Sequence, residues 1–74
     1  MSKADDMFKK LGYELDYEDG MEIIYTRFEG HIVRIKQDII FYKEDKIIKN
    51  DLGIDNKELQ AINEKCKELE WLND

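Results

Sequence analysis

The chain has no proline, one cysteine and one histidine among its 74 residues. These scarcities close off whole classes of protein. A single cysteine permits no intramolecular disulfide, which excludes the disulfide-stapled scaffold common among small secreted domains. Cys66 and His31 together leave a zinc site two soft ligands short, and His31 has no partner at metal-binding or catalytic spacing. Cys66 also falls on an apolar helix stripe, the setting of a buried, inert thiol rather than a nucleophile. No apolar run approaches the roughly 20 residues that cross a bilayer. The opening Met1-Ser2-Lys3-Ala4-Asp5-Asp6 is polar and acidic, unlike a signal peptide. Low-complexity runs, internal repeats and linkers are missing too. The expectation is one small soluble, cytoplasmic domain over residues 1–74. Cores of this size leave only about 3–5 kcal/mol of net stability, so nearly every apolar residue is needed for packing.

Basic charge is also short. Twelve Lys and Arg stand against 18 Asp and Glu, a net charge of −6. That argues against general affinity for nucleic acid or an anionic membrane, since phosphate binding draws on a basic surface. The carboxylates are abundant but unpatterned. Asp5-Asp6, Asp16-Glu18-Asp19 and Glu44-Asp45-Asp51 lack calcium-loop spacing, and the glycine turns lack phosphate-loop spacing. No pair stands out as an acid–base couple. The sequence therefore assigns no catalytic residue, cofactor or metal ligand, and it reads as a non-enzyme.

What is present is folding information, densest in the last third. Asp55 and Glu58 make the D-x-x-E form of a capping box, with Ile54 and Leu59 spaced as a hydrophobic staple. Leu59, Ile62, Cys66 and Leu69 then form a narrow apolar stripe. This predicts a helix over about 55–70. Trp71 lies nearly opposite the stripe, so the helix should end near Leu69 or Glu70 and fold Trp71 back onto its last turn. A shorter helix over about 2–11 opens on Ser2, docks through Met7, Phe8 and Leu11, and stops at Gly12.

Between the helices the period changes to two, predicting strands over about 13–18, 21–28, 31–36, 39–43 and 46–49. Glu18-Asp19-Gly20 reads as a hairpin loop with Gly20 left-handed, placing Leu15 opposite Ile23. A like turn at Phe28-Glu29-Gly30 pairs Tyr25 with Val33 and Ile23 with Ile35, and a two-residue Glu29-Gly30 turn is the alternative. Gln37-Asp38 reads as a further turn. The fold class is thus α+β, an antiparallel β-meander of four to five strands flanked by an N-terminal and a longer C-terminal helix.

The alternation separates two sheet faces. Tyr13, Leu15, Tyr17, Met21, Ile23, Tyr25, Val33, Ile35, Ile40, Tyr42 and Ile47 are assigned to the helix side. The other face carries Ile24, Phe28, Ile32, Ile39, Phe41 and Ile48, rimmed by Arg34 and Lys36. That is rich in large apolar groups for a solvated face. Either the first helix covers part of it or it is an interaction surface. The second option points to a protein partner, with a homodimer among the candidates. Two other functions stay open. Arg34, Lys36 and Lys43 beside Phe28 and Phe41 suggest single-stranded nucleic-acid binding, against which stand Glu14, Asp16, Glu18 and Glu22. The same acids, with Asp19, could instead imitate nucleic acid and inhibit a nucleic-acid-binding protein.

The two ends, Lys3-Ala4-Asp5-Asp6-Met7-Phe8-Lys9-Lys10-Leu11-Gly12-Tyr13 and Glu58 through Leu72, resemble a widespread group of small uncharacterised phage and prophage proteins of Gram-positive bacteria. These motifs cap and pack, so the resemblance implies no catalytic residue or cofactor. What it implies is an accessory protein in a bacterial cytoplasm. Such relatives usually carry Gly just before the Trp, where this chain has Glu70, a residue strained in a left-handed conformation.

Overall fold

Both helices begin at a side-chain cap, and past the end of each an aromatic residue folds back. The computed structural model describes residues 2–72; Met1 and the last two residues of the expected domain lie outside it. In α1 (Lys3–Lys10) the Ser2 hydroxyl accepts from the Asp5 amide at 2.9 Å. In α2 (Asn56–Glu68) the capping box forms as expected. The Glu58 amide donates to Asp55 Oδ1 at 2.8 Å, and the Asp55 amide donates to Glu58 Oε1 at 3.0 Å.

The two C-termini share one solution. After α1, Gly12 turns left-handed, its amide donates to the Lys9 carbonyl and the Tyr13 amide to that of Phe8. After α2, Glu70 takes the same role with φ 63, donating to Lys67, while Trp71 donates to Cys66. This paired pattern is the Schellman motif, which satisfies carbonyls the helix leaves unbonded and brings the following side chain back onto the last turns. Tyr13 is buried in consequence, and Trp71 packs 6.0 Å from the Phe41 ring. Trp71 fails the helical spacing because it lies beyond the helix.

Strands β1 (Glu14–Glu18), β2 (Glu22–Glu29), β3 (Ile35–Tyr42) and β4 (Ile47–Asn50) form one antiparallel sheet in the order β1-β2-β3-β4. The α+β class is as expected, with four strands. Residues 31–36 do not form a separate strand, and Gln37-Asp38 is not a turn. Gly30 has φ 101, and a Cβ there would lie 2.0 Å from the Val33 carbonyl oxygen, so the chain doubles tightly on itself at this glycine. Strand β3 starts only at Ile35 and runs straight through Gln37-Asp38. Tyr25 therefore faces Ile39 and Ile23 faces Phe41, rather than Val33 and Ile35. The polar pair that imitates a turn is satisfied within the ladder. Gln37 accepts from Arg27 and Asp38 from the Thr26 hydroxyl.

The first hairpin also departs from expectation. Gly20 is absent from the left-handed residues, because Asp19 makes the turn, its carboxylate accepting from the Met21 and Glu22 amides at 2.7 and 2.8 Å. A bulge between Leu15 and Tyr17 puts Leu15 opposite Tyr25 and Tyr17 opposite Ile24. In α2 the buried stripe is Ala61, Ile62 and Cys66 together with Glu58 and Lys65, while Leu59 and Ile54 stay about half exposed.

Phe8 is the centre of the core. Its ring stacks on Tyr25 at 4.1 Å and meets Tyr13 and Phe41 edge-on, in a cluster completed by Ile23, Ile39, Ala61, Ile62 and Cys66. Residues from α1, α2, β2 and β3 all enter this one cluster, so both helices lie on the same face of the sheet.

The left-handed Glu70 gives a direct test. A non-glycine residue in that region costs about 1 kcal/mol or more, part of which glycine's own backbone entropy takes back. Glu70→Gly should thus raise the thermal midpoint by a few degrees, since about 1 kcal/mol corresponds to roughly 4–8 °C in a domain of this size. Circular dichroism melting reads this out. An unchanged or lower midpoint would show that Glu70 is not strained.

Candidate functional site

Two polar clusters pin the helices to the sheet, and they must be distinguished from a site. Around Glu58, which is 4% exposed, the first joins four elements. Tyr13 donates its hydroxyl to Glu58, and Arg27 approaches the same carboxylate oxygen at 3.3 Å. The Arg27 guanidinium also reaches the Leu11 carbonyl at 2.9 Å and Gln37 Oε1 at 2.6 and 2.8 Å, and it lies 4.5 Å over the Tyr13 ring. In the second cluster the Tyr25 hydroxyl donates to Asp5, and Glu68 accepts from the Ala4 amide at 2.9 Å. Lys65 bridges Asp5 and Glu68 at 3.8 and 3.5 Å.

A carboxylate, a phenol and a guanidinium in contact resemble acid–base machinery. Here they are bonded to one another. Among the described residues no buried side-chain nitrogen or oxygen lacks a partner, as is usual of polar groups that serve packing. Burial, then the hydrogen bond to Glu58, pushes the Tyr13 phenol above its usual range. Burial and the bond to Asp5 do the same to Tyr25. Cys66 is buried and its thiol is pushed up by desolvation, the opposite of nucleophile activation. No group of three or more His, Cys, Asp or Glu among the described residues is arranged to hold a metal ion. None of the described helices is long and apolar enough to cross a membrane.

The exposed side of the molecule differs in kind. The expected interaction surface was Ile24, Phe28, Ile32, Arg34, Lys36, Ile39 and Phe41, and the structure divides it. Ile39 and Phe41 are fully buried in the core. The cause is the parity of β3. Because the strand is continuous, the alternation that places Gln37 beside Arg27 also turns Ile39 and Phe41 toward the helices. Ile40 and Tyr42 accordingly move to the outer face, and so does Ile47, while Ile48 packs against the core. Ile24, Phe28 and Lys36 do share the outer face, over which no element among the described residues lies.

Ile32 and Arg34 fall in the loop between β2 and β3. Here the apolar exposure is greatest. Ile32 is 97% exposed and Val33 75%, with Phe28 and Ile35 each a little over half exposed. The Arg34 guanidinium sits 5.2 Å over the Phe28 ring, and Arg27 pairs with Glu29 at 3.2 Å. His31 is exposed in the same loop. Sequence reasoning found Phe28, Ile32, Arg34 and Lys36 but placed Val33 on a helix-side strand where Gly30 makes a loop, whereas Ile35, at the start of β3, does share the parity of Ile39 and Phe41.

The acids from Glu14 to Glu22 differ in how far they are engaged. Asp19 is tied to its own turn, which holds its carboxyl below the usual range, and its second oxygen accepts from the Tyr17 hydroxyl. Glu18 lies 3.9 Å from Lys43. Glu14 and Asp16 stay exposed on the outer strand β1. The basic–aromatic set expected for single-stranded nucleic acid is broken too, because Phe41 is internal.

The two buried phenols that are raised, Tyr13 and Tyr25, make stability sensitive to alkali. In the unfolded chain a tyrosine ionises near pH 10, whereas in the fold Tyr13 and Tyr25 hold their protons more tightly. Above about pH 10 the unfolded state therefore binds fewer protons than the native one, and stability falls as pH rises. Below that value the contribution is complete. Tyrosinate absorbance should show Tyr13 and Tyr25 ionising together with loss of helix, while Tyr13→Phe removes one of the two coupled ionisations. Titration of all four tyrosines with the helix signal intact would contradict the clusters. Compared with protein-family models, curated proteins and solved structures, the chain finds no match.

Proposed function

We propose that the chain acts without catalysis, by binding another protein through the tip of the β2–β3 hairpin and the adjoining outer face of the sheet. The observation that supports this most is the pair Ile32 and Val33, 97% and 75% exposed in the loop between β2 and β3, with Phe28 and Ile35 half exposed at the strand ends that flank it. Scattered exposed apolar residues are ordinary, but a contiguous group at the end of a protruding hairpin suits a contact surface. Its setting favours a partner with an apolar pocket edged by carboxylates, because Arg34 and Lys36 border the group and Glu29 is already paired with Arg27. The likeness of the two chain ends to small phage and prophage proteins supports an accessory role in a bacterial cytoplasm.

The test uses Ile32→Asp/Val33→Asp. Both sites are exposed, so the double variant should melt within a few degrees of the parent, as surface substitutions usually change stability by no more than about 0.5 kcal/mol each. It should lose the protein contacts of the parent in light scattering and in quantitative capture from bacterial lysate. Identical mass and identical captured proteins for parent and variant would remove the hairpin tip from the function.

A further inference from the structure

Charge is distributed unevenly along the molecule. Residues 27–36 carry Arg27, Arg34 and Lys36 against Glu29 alone, a net +2 on a chain of net −6, so the remainder carries −8. The basic segment coincides with the most exposed apolar side chains. A matching receptacle exists on the same chain. A cavity of about 320 Å³ lies where α1 meets the start of β1 and is lined by Asp5, Asp6, Tyr13, Glu14, Leu15 and Tyr25. Leu15 is 45% exposed there, and Asp6 and Glu14 stand open at the surface, with Lys9 the one base at the margin. The cleft is apolar within and acidic at its rim, the complement of the tip in both respects.

We infer that the occupant of the tip is a second copy of this chain. The hairpin tip of each protomer enters the α1–β1 cleft of the other. This rests on the proposed binding function and gives it a partner. Ile32 and Val33 supply the apolar contact with Leu15, and Arg34 and Lys36 face Asp6 and Glu14. Exchange of the same two patches around a twofold axis is self-complementary and closes at two chains. An acidic body also selects this occupant over an anionic lipid surface, which would attract the basic tip but repel the acidic remainder of the chain. Opposite charges meeting at the contact steer association and make it weaken with added salt.

The test is a charge exchange followed by light scattering and sedimentation. The parent chain should move from monomer to dimer with concentration, and added salt should shift it back. A tip variant, Arg34→Glu/Lys36→Glu, and a cleft variant, Asp6→Lys/Glu14→Lys, should each weaken the dimer by about tenfold or more. All four positions are exposed, and circular dichroism confirms that both variants keep the fold. Mixed together, the two variants should form a heterodimer, because each reversed tip then meets a reversed cleft. A parent that stays monomeric to millimolar concentration overturns the self-association while leaving the tip available to a different protein. Co-sedimentation of such a monomer with phosphatidylserine vesicles would assign the tip to a lipid surface instead and overturn the inference. A dimer indifferent to the tip reversal overturns the inference, while the proposed function stands or falls with the capture experiment on Ile32→Asp/Val33→Asp.

Discussion

The contact of Arg27 with Glu58 decides how this small sheet acquires its helices. Arg27 stands on the helix side of β2, where a charge would ordinarily be unwelcome. Its guanidinium is satisfied by Glu58 of α2, Gln37 of β3 and the Leu11 carbonyl at the end of α1. Glu58 in turn caps its own helix and accepts from Tyr13. One ion pair thus fixes the start of α2, the end of α1 and the register of β2 on β3. Replacing such a pair with well-packed apolar groups can be neutral, but removing one partner strands a buried charge at a cost of about 3–5 kcal/mol. That is as large as the net stability expected for a domain of this size.

The same contact explains which parts of the fold could be read from the sequence. Helix ends were legible because caps are local. Ser2, Asp55 with Glu58, and Gly12 act within a few residues of themselves, and even Trp71 announced its exit from the helix by failing the spacing. The class and strand order followed from the change of period. Strand register was not legible, since it depends on partners distant in the chain. Gln37-Asp38 looks like a turn until Arg27 and Thr26 are placed opposite, and Gly20 looks left-handed until the Asp19 carboxylate is seen to make the turn. Each polar residue was interpreted by its local meaning where its tertiary partner governed.

The candidate surface shows the consequence. A shift in strand parity moves every side chain to the opposite face, so Ile39 and Phe41 went to the core and Ile40 and Tyr42 came out. Phe28, Ile32, Arg34 and Lys36 stayed near the end of the hairpin, and Val33 joined them there. Function is thereby drawn toward the part of the molecule that the core contacts do not reach. The helices and their polar clusters are occupied with folding, and the hairpin extends past them with its apolar groups unspent. Those clusters secure the β2–β3 ladder from which the tip projects.

The dependence on Arg27 is tested most directly by a double-mutant cycle of Arg27→Met and Glu58→Gln, followed by urea unfolding in sulfate buffer so that weakened variants remain folded. Each single substitution should be strongly destabilising, and the double variant should lose little more than the worse single one, a coupling of about 1.5 kcal/mol or more. Additive losses would contradict the account, since they would mean that Arg27 and Glu58 act independently and that the helices are held by apolar packing alone.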